Sequence, residues 1–180
     1  MKVLGLANAW DSGAALLVDG VVVAAANEER FSRIKLDRCF PERAIDYVLA
    51  AGGLGIDDVD IVASGCWNGV HPTETMPHLT AEAERQVAES SAREQTAQMV
   101  QERLDVSASR DAEFRGELVQ GLAVRGVEAD RIRFFDHHYT HAVSAWSPSG
   151  FGEGLVLTAD GRGDGRAVTL WHATSSGLEL

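Results

Sequence analysis

The chain has 180 residues, 45% of them hydrophobic, and its 16 Lys and Arg against 27 Asp and Glu give a formal net charge of −11. That length and hydrophobic share support a folded domain with a buried core. The acidic balance and the lack of a basic arm exclude nucleic acid as an expected partner, because a polyanion would be repelled.

The sequence also predicts a cytoplasmic protein that does not enter a membrane. Cys39 and Cys66 are too few for a disulfide framework. The first residues lack the cleavage pattern of a signal peptide. No stretch approaches the roughly 18 apolar residues that a spanning helix needs.

Three strands are predicted at the start of the chain. The apolar runs are Val3–Ala7, Gly13–Val18 and Val21–Ala26. Asp19-Gly20 joins the last two and is typical of a type I′ hairpin turn. Strands joined this tightly are expected to be antiparallel neighbours.

A basic stretch and a helix follow. Arg30, Arg33, Lys35 and Arg38 precede Phe40-Pro41. Placed between a strand and a helix, these cations could hold an anionic group, although such a run is more often a solvated loop. Pro41 is expected to open the helix, and Gly52-Gly53 to end it. The next strand is predicted at 60–64.

The later elements alternate between helix and strand. Residues 79–126 are rich in Ala, Glu, Gln and Arg and are interpreted as two or three inserted surface helices. A strand is then predicted at 132–135, and a helix from His137 to about Trp146. A hairpin follows, with strands at 154–159 and 167–171 and a polar turn at Asp160–Gly165.

The segments LGLANAWDSGAALLVDG and LVLTADGRGDGRAVTLW share one layout, in which a tight turn containing aspartate joins two strands. The second copy suggests that another lobe begins near residue 151. An isolated hairpin is marginal in water, so the chain is expected to be a fragment of a longer protein.

A candidate metal-binding pattern lies in Asp136-His137-His138-Tyr139-Thr140-His141. With Asp136 as the N-cap, His137 and His141 project from one helix face and could share a divalent metal. Ordinary hydrogen-bonded histidines are the alternative. His138 is expected to point toward solvent or a neighbouring carboxylate. A third ligand would have to come from elsewhere.

Two turns could approach a nucleotide, because glycine lets backbone amides come close to phosphate. They are Asp160–Gly165 and, more weakly, Asp11–Gly13. Their carboxylates would need Mg²⁺ or a nucleotide hydroxyl as a partner. Polar hairpin loops remain the alternative for both.

Together these segments resemble the carbamoyltransferases of the nodulation and antibiotic-tailoring type. The opening, DSGAALLVDGVVVAAANEERFSRIKLDRCFPERAIDYVL, is similar to their first residues. FDHHYTHAVSAWSPSGF and ADGRGDGRAVTLW are similar to their middle signature. The resemblance covers about residues 1–65 and 130–175.

The resemblance implies an α/β fold of the actin and hexokinase superfamily, built from ribonuclease-H-like lobes. The first lobe would span 1–150, with the helical insertion at 79–126, and 151–180 would begin a truncated second lobe. The implied reaction transfers a carbamoyl group to a hydroxyl of a sugar or natural product. The donor, carbamoyl adenylate, would be made from carbamoyl phosphate and ATP by a C-terminal domain. The chain would be inactive without that domain, and a homodimer is the other expected assembly.

The resemblance also carries roles onto matching residues. His137 and His141 would bind a divalent metal, with Fe²⁺ favoured over Mn²⁺ or Zn²⁺, and a further carboxylate ligand would lie beyond Leu180. The nucleotide site, with Mg²⁺ as a further ion, would take Ser12, Asp160, Gly161, Gly163 and Asp164. Asp11 and Lys35 are carried over as catalytic residues, and Arg33 and Asp37 as substrate-pocket residues.

The sequence departs from the family pattern at Trp10 and Leu36, where histidines are usual. Tryptophan cannot act as a general base. Another group therefore takes that role, the acceptor differs, or activity is reduced. Two other functions stay open: a nucleotide- or partner-binding lobe without turnover, and a sugar kinase or ATPase of the same superfamily. The kinase hypothesis does not account for the paired histidines.

Overall fold

The first three strands form an antiparallel meander, as predicted. They are β1 (Lys2–Ala7), β2 (Gly13–Val18) and β3 (Val21–Asn27). Val18 pairs with Val21 across the link. Asp19 and Gly20 have φ values of 50° and 82°. Positive φ at both positions is what a type I′ turn requires, so the turn sets this register.

The computed structural model describes residues 1–65, 81, 85, 88, 93–164 and 166–180. Within them, a mixed five-stranded sheet has the order β3-β2-β1-β4-β5. Strand β4 (Ile61–Ser64) runs parallel to β1, and β5 (Ile132–Phe134) runs parallel to β4. Parallel neighbours need a crossover between them, and the connection from β1 to β4 includes a helix.

That helix is α2 (Glu42–Gly52), preceded by the short α1 (Glu29–Ser32). Pro41 occupies the N-cap position and so lies just before the helix. Gly53 ends α2 with a φ of 65°. The sequence did not predict which group accepts hydrogen bonds from the first N–H groups of α2. The buried Glu28 carboxylate accepts hydrogen bonds from the Arg43 and Ala44 N–H groups, at 3.3 Å and 2.8 Å.

Helix α3 (Arg93–Val124) is one continuous helix. Most of residues 79–92 lie outside the described part, so the number of helices in the insertion stays a prediction. Short 3₁₀ turns occur at Ile56–Asp58 and Ala129–Arg131. No helix among the described residues has the length and apolar character needed to cross a membrane.

The chain divides into two compact units, of which the first comprises residues 1–68 and 114–135. Its core lies between the sheet and the helices, because apolar side chains alternate along β1 and β2 and recur along α2. Its fully buried apolar residues include Leu4, Leu16, Ile45, Val48, Val62, Leu118 and Leu122.

The second unit comprises residues 69–113 and 136–180. It contains α4 (His137–Trp146) and an antiparallel sheet of β6 (Gly154–Gly163), β7 (Arg166–Thr174) and β8 (Gly177–Glu179). Its core contains Ala142, Val156, Trp171 and Ala173. The predicted lobe boundary near residue 150 falls inside this unit and stays a prediction.

The predicted turn at Asp160–Gly165 is partly wrong. Strand β6 continues to Gly163, with an irregular register between Ala159 and Gly163. Gly163 pairs with Arg166. Such an irregularity inserts extra residues into one strand and redirects the side chains there. Gly165 lies outside the described residues.

Candidate metal centre

Three polar side chains of the second unit converge at the start of α4. Asp136 accepts a hydrogen bond from the Tyr139 N–H at 2.8 Å, so α4 begins at His137. His137 Nε2 lies 2.7 Å from Asp160 Oδ2 and 3.0 Å from His141 Nε2. His141 Nε2 lies 3.5 Å from the same Asp160 oxygen.

This arrangement fits one divalent ion. Neighbouring ligands on a metal with bonds of about 2.1 Å are separated by about 3.0–3.4 Å. The observed separations of 2.7, 3.0 and 3.5 Å bracket that spacing. One ligand atom from each of His137, His141 and Asp160 lies within 4.8 Å of the others. A small inward or outward rotation of the side chains would therefore place all three on an ion.

The Asp160 carboxyl is held in its charged form. Burial raises its pKa, but hydrogen bonds from His137, the Gly161 N–H and His141 outweigh burial, so the pKa lies below its ordinary value of 3.8. The Gly161 N–H donates to Asp160 Oδ1 at 2.6 Å. An ionised carboxylate is the form that binds a metal, and the other carboxylate oxygen remains directed at the histidines.

A second carboxylate supports the first turn of α4. Asp164 is buried and accepts a hydrogen bond from the His137 N–H at 2.8 Å. Arg166 donates to Asp136 Oδ2 at 3.1 Å. Charge-assisted bonds of this kind are stronger than neutral ones. They join the β6–β7 hairpin, which carries Asp160, to the start of the helix that carries the histidines.

Gly163 lies directly against the ring of His137. A Cβ at this position would stand 2.0 Å from His137 Cδ2 and 2.7 Å from Cγ. Glycine is therefore required by close approach, whereas a Cβ at Gly161 would meet nothing within 4 Å. The two glycines, which the sequence treats alike, have different structural roles.

The sequence predicted that His138 points toward solvent or a neighbouring carboxylate, and this prediction is wrong. Its ring is fully buried. His138 Nδ1 lies 2.6 Å from Thr158 Oγ1, and Nε2 lies 3.0 Å from the Arg166 carbonyl oxygen. Helical spacing turns His138 away from the face of His137 and His141, and that direction leads into the strands.

The other candidate residues lie in the first unit. The Ser12 N–H donates to the Asp37 carbonyl at 2.9 Å, which ties the β1–β2 turn to the basic stretch. Ser12 and Asp37 are buried, whereas Asp11, Arg33 and Lys35 are exposed. Hydrogen bonds from Ser32 and Cys39 hold the pKa of the Asp37 carboxyl below its ordinary value.

Trp10 and Arg38 form a pair at the same turn. The Arg38 guanidinium carbon lies 3.0 Å from the centroid of the Trp10 ring, a cation–π arrangement. Trp10 is 40% exposed. The residue that departs from the family pattern is therefore paired with a cation of the basic stretch.

From the sequence, the third metal ligand was expected beyond Leu180, and Asp160 was expected to line a nucleotide site. The structure adds Asp160 to the histidine pair. The available signal was weak: an aspartate at the end of the strand that follows the histidine helix. Asp160 shares a face of β6 with Thr158, and this face packs against α4. Residue type alone does not reveal that packing.

Comparison with known proteins identifies relatives over nearly the whole chain. A family model described as the carbamoyltransferase N-terminus matches residues 2–178. The nodulation protein NolNO of Sinorhizobium fredii is 36% identical over 172 residues, which cover 94% of this chain and 22% of that protein. An uncharacterised protein of Synechocystis is 34% identical over 93% of this chain and 26% of its own length. The chain spans about a quarter of the length of these curated relatives.

Proposed function

Because this chain belongs to the carbamoyltransferase N-terminus family, we propose that it is the part of an O-carbamoyltransferase that binds the carbamoyl donor at a divalent metal. The group would pass from ATP-derived carbamoyl adenylate to a hydroxyl of a sugar or natural product. The observation that carries the proposal is the convergence of His137, His141 and Asp160 within the second unit.

The two imidazoles and the carboxylate would hold the ion. Such a set, with open positions, is typical of iron(II) sites, and Mn²⁺ or Zn²⁺ also accept these ligands. The ion, when bound, would polarise the carbamoyl carbonyl as a Lewis acid. The low pKa of the Asp160 carboxyl keeps this ligand charged at neutral pH, so its proton does not compete with the ion.

The residues around the centre would orient these ligands. Asp164 is buried and accepts a hydrogen bond from the His137 N–H. We therefore propose that it supports α4 and does not contact the nucleotide. Gly163 would keep space for the His137 ring. Gly161 remains our candidate for close approach of an adenylate phosphate, because the space around its Cα is open.

Our candidate residues for binding the acceptor belong to the first unit. Asp11 and Lys35 are exposed, as residues that contact substrate must be before it binds, and Arg33 is exposed beside them in sequence. Asp37 and Ser12 are buried and would organise this segment. Trp10, which is paired with Arg38, stands where the family usually has a histidine, a candidate for activating the hydroxyl. We assign that activation to Asp11.

We also propose that the first unit is a ribonuclease-H-like lobe of the actin and hexokinase superfamily. The strand order β3-β2-β1-β4-β5, with β2 antiparallel to its neighbours and β1, β4 and β5 parallel, supports this proposal. In that superfamily a nucleotide is the usual ligand, which agrees with an adenylate donor.

The test uses the complete polypeptide, ATP, carbamoyl phosphate and a panel of hydroxyl acceptors. We expect His137→Ala to abolish carbamoyl transfer and to lower bound iron. His172→Ala is the matched control, because His172 is an exposed histidine of the same unit, paired with Glu153 at 3.0 Å. Full transfer activity in His137→Ala would overturn the metal assignment. Nucleotide binding without any carbamoylated product in the wild type would instead favour a binding lobe.

A further inference from the structure

A buried chain of hydrogen bonds runs from β7 through β6 to α4. Trp171 Nε1 donates to Thr169 Oγ1 at 2.6 Å. Thr169 Oγ1 lies 2.6 Å from Thr158 Oγ1, which lies 2.6 Å from His138 Nδ1. His138 Nε2 closes the chain on the Arg166 carbonyl oxygen at 3.0 Å. The side chains of Thr158 and Thr169 are buried, and His138 is fully buried.

The two ends of this chain determine its direction. An indole N–H can only donate, and a carbonyl oxygen can only accept. His138 Nε2 must therefore carry a hydrogen, and in the uncharged ring Nδ1 accepts from the Thr158 hydroxyl. Thr158 Oγ1 then accepts from Thr169, whose oxygen accepts from Trp171. Every hydroxyl in the chain has one donor and one acceptor role, and the ring is held in one tautomer and one orientation.

The position of the chain links it to the metal centre. His138 is adjacent to His137 on α4, and Thr158 precedes Asp160 by two residues on β6. Arg166 begins β7, on the other side of the segment that carries Asp160 and Asp164. His138 therefore fastens the first turn of α4 to β6, the strand that carries Asp160, and to the start of β7.

We propose that His138 is a positioning residue for this metal centre, a proposal that rests on the function proposed above. Through Thr158 and the Arg166 carbonyl, it sets the distance between the His137–His141 pair and Asp160. Hydrogen bonds from the His137 N–H to Asp164 and from Arg166 to Asp136 also span this gap. They hold the backbone and the N-cap, whereas His138 prevents the helix from rotating about its own axis.

The decisive variant is Thr158→Val in the complete polypeptide, compared with Thr158→Ser. Valine keeps the shape but removes the hydroxyl, so His138 Nδ1 loses its donor. Serine keeps the hydroxyl. Thr174→Val is the matched control, because Thr174 lies on β7 in an exposed hydroxyl pair with Ser176, at 2.7 Å.

The readout is titration with Co²⁺, followed by its visible absorption, which reports ligand geometry as well as affinity. We expect Thr158→Val to weaken Co²⁺ binding about tenfold, the lower end of the effect of outer-shell partners, and to alter the absorption band. Thr158→Ser and Thr174→Val should keep the wild-type affinity and spectrum.

The outcomes separate this proposal from the function on which it rests. If wild type binds Co²⁺ and Thr158→Val binds equally well, with only a lower Tm, the hydrogen-bond chain serves stability alone and the positioning role is wrong. If wild type does not bind Co²⁺, both proposals fall. Should Thr158→Val not fold, the same comparison is made with Thr169→Val and Thr169→Ser. Equal Co²⁺ affinity in that pair would overturn the positioning role.

Discussion

Replacing Gly163 with alanine tests whether the packing of β6 against His137 determines the metal centre. The added Cβ would stand 2.0 Å from His137 Cδ2. Carbon atoms pack at about 3.5–4.0 Å, so the ring or the strand would have to move by about 1.5 Å. The ring cannot move cheaply, because His137 is buried and bonded to Asp160 and Asp164.

The expected cost is that of overpacking a buried site, about 1–3 kcal/mol. For a chain of this size, that loss lowers Tm by roughly 3–10 °C. A displacement of about 1.5 Å also separates His137 Nε2 from Asp160 Oδ2, which lie 2.7 Å apart. We therefore expect weaker metal binding together with the lower Tm.

The assay is thermal unfolding without metal, followed by metal titration, with Gly161→Ala as the matched control. Gly161 lies on the same strand segment, and its Cβ would meet nothing within 4 Å. Neither glycine has a positive φ, so backbone strain does not confuse the comparison. If the Gly163 variant matches the Gly161 variant in both Tm and metal affinity, the packing of Gly163 against His137 does not determine the metal centre.

Three further predictions concern single groups. Glu28→Ala removes the carboxylate that caps α2 and should lower the free energy of unfolding in urea by about 1–2 kcal/mol; a loss no larger than that of the exposed Glu42→Ala would contradict the cap. Although Cys39 is an exposed residue, partial desolvation of its thiol, followed by the nearby Asp37 carboxylate, raises its pKa to about 11. In a Cys66→Ser background, a disulfide reagent at pH 8 should therefore react with Cys39 about tenfold more slowly than with a free thiol, because a roughly hundredfold smaller thiolate fraction is partly offset by the greater nucleophilicity of a more basic thiolate. A normal rate would contradict this. Because the folded pKa of Asp160 is depressed, its contribution to stability is present above its ordinary value of 3.8 and is lost as pH falls through the folded value. Asp160→Asn should thus be less stable than wild type at pH 7, and the difference in the free energy of unfolding should shrink as pH falls below 3.8; a difference that stays constant as pH falls would argue against this.

Many local features of both units could be predicted from the sequence, because short-range interactions determine them. The Asp19-Gly20 link defines the β2–β3 hairpin, and Gly53 ends α2 in a left-handed conformation. Asp136 caps α4, and the i, i+4 spacing brings His137 and His141 together. In each case, the residues that decide the structure are within a few positions of one another.

The remaining features depended on contacts between residues far apart in the chain. The packing of β6 against α4 brings Asp160 to the histidines, and Glu28 caps α2 across an interval of more than a dozen residues. His138 faces the interior, where its ring nitrogens form hydrogen bonds with the Thr158 hydroxyl and the Arg166 carbonyl. Sequence by itself determined β1 to β5, the helix after Pro41 and the helix that begins at His137, and it determined that two imidazoles share a helix face. Only the tertiary structure decided which carboxylate joins them, because strand register and packing direct a side chain independently of its residue type.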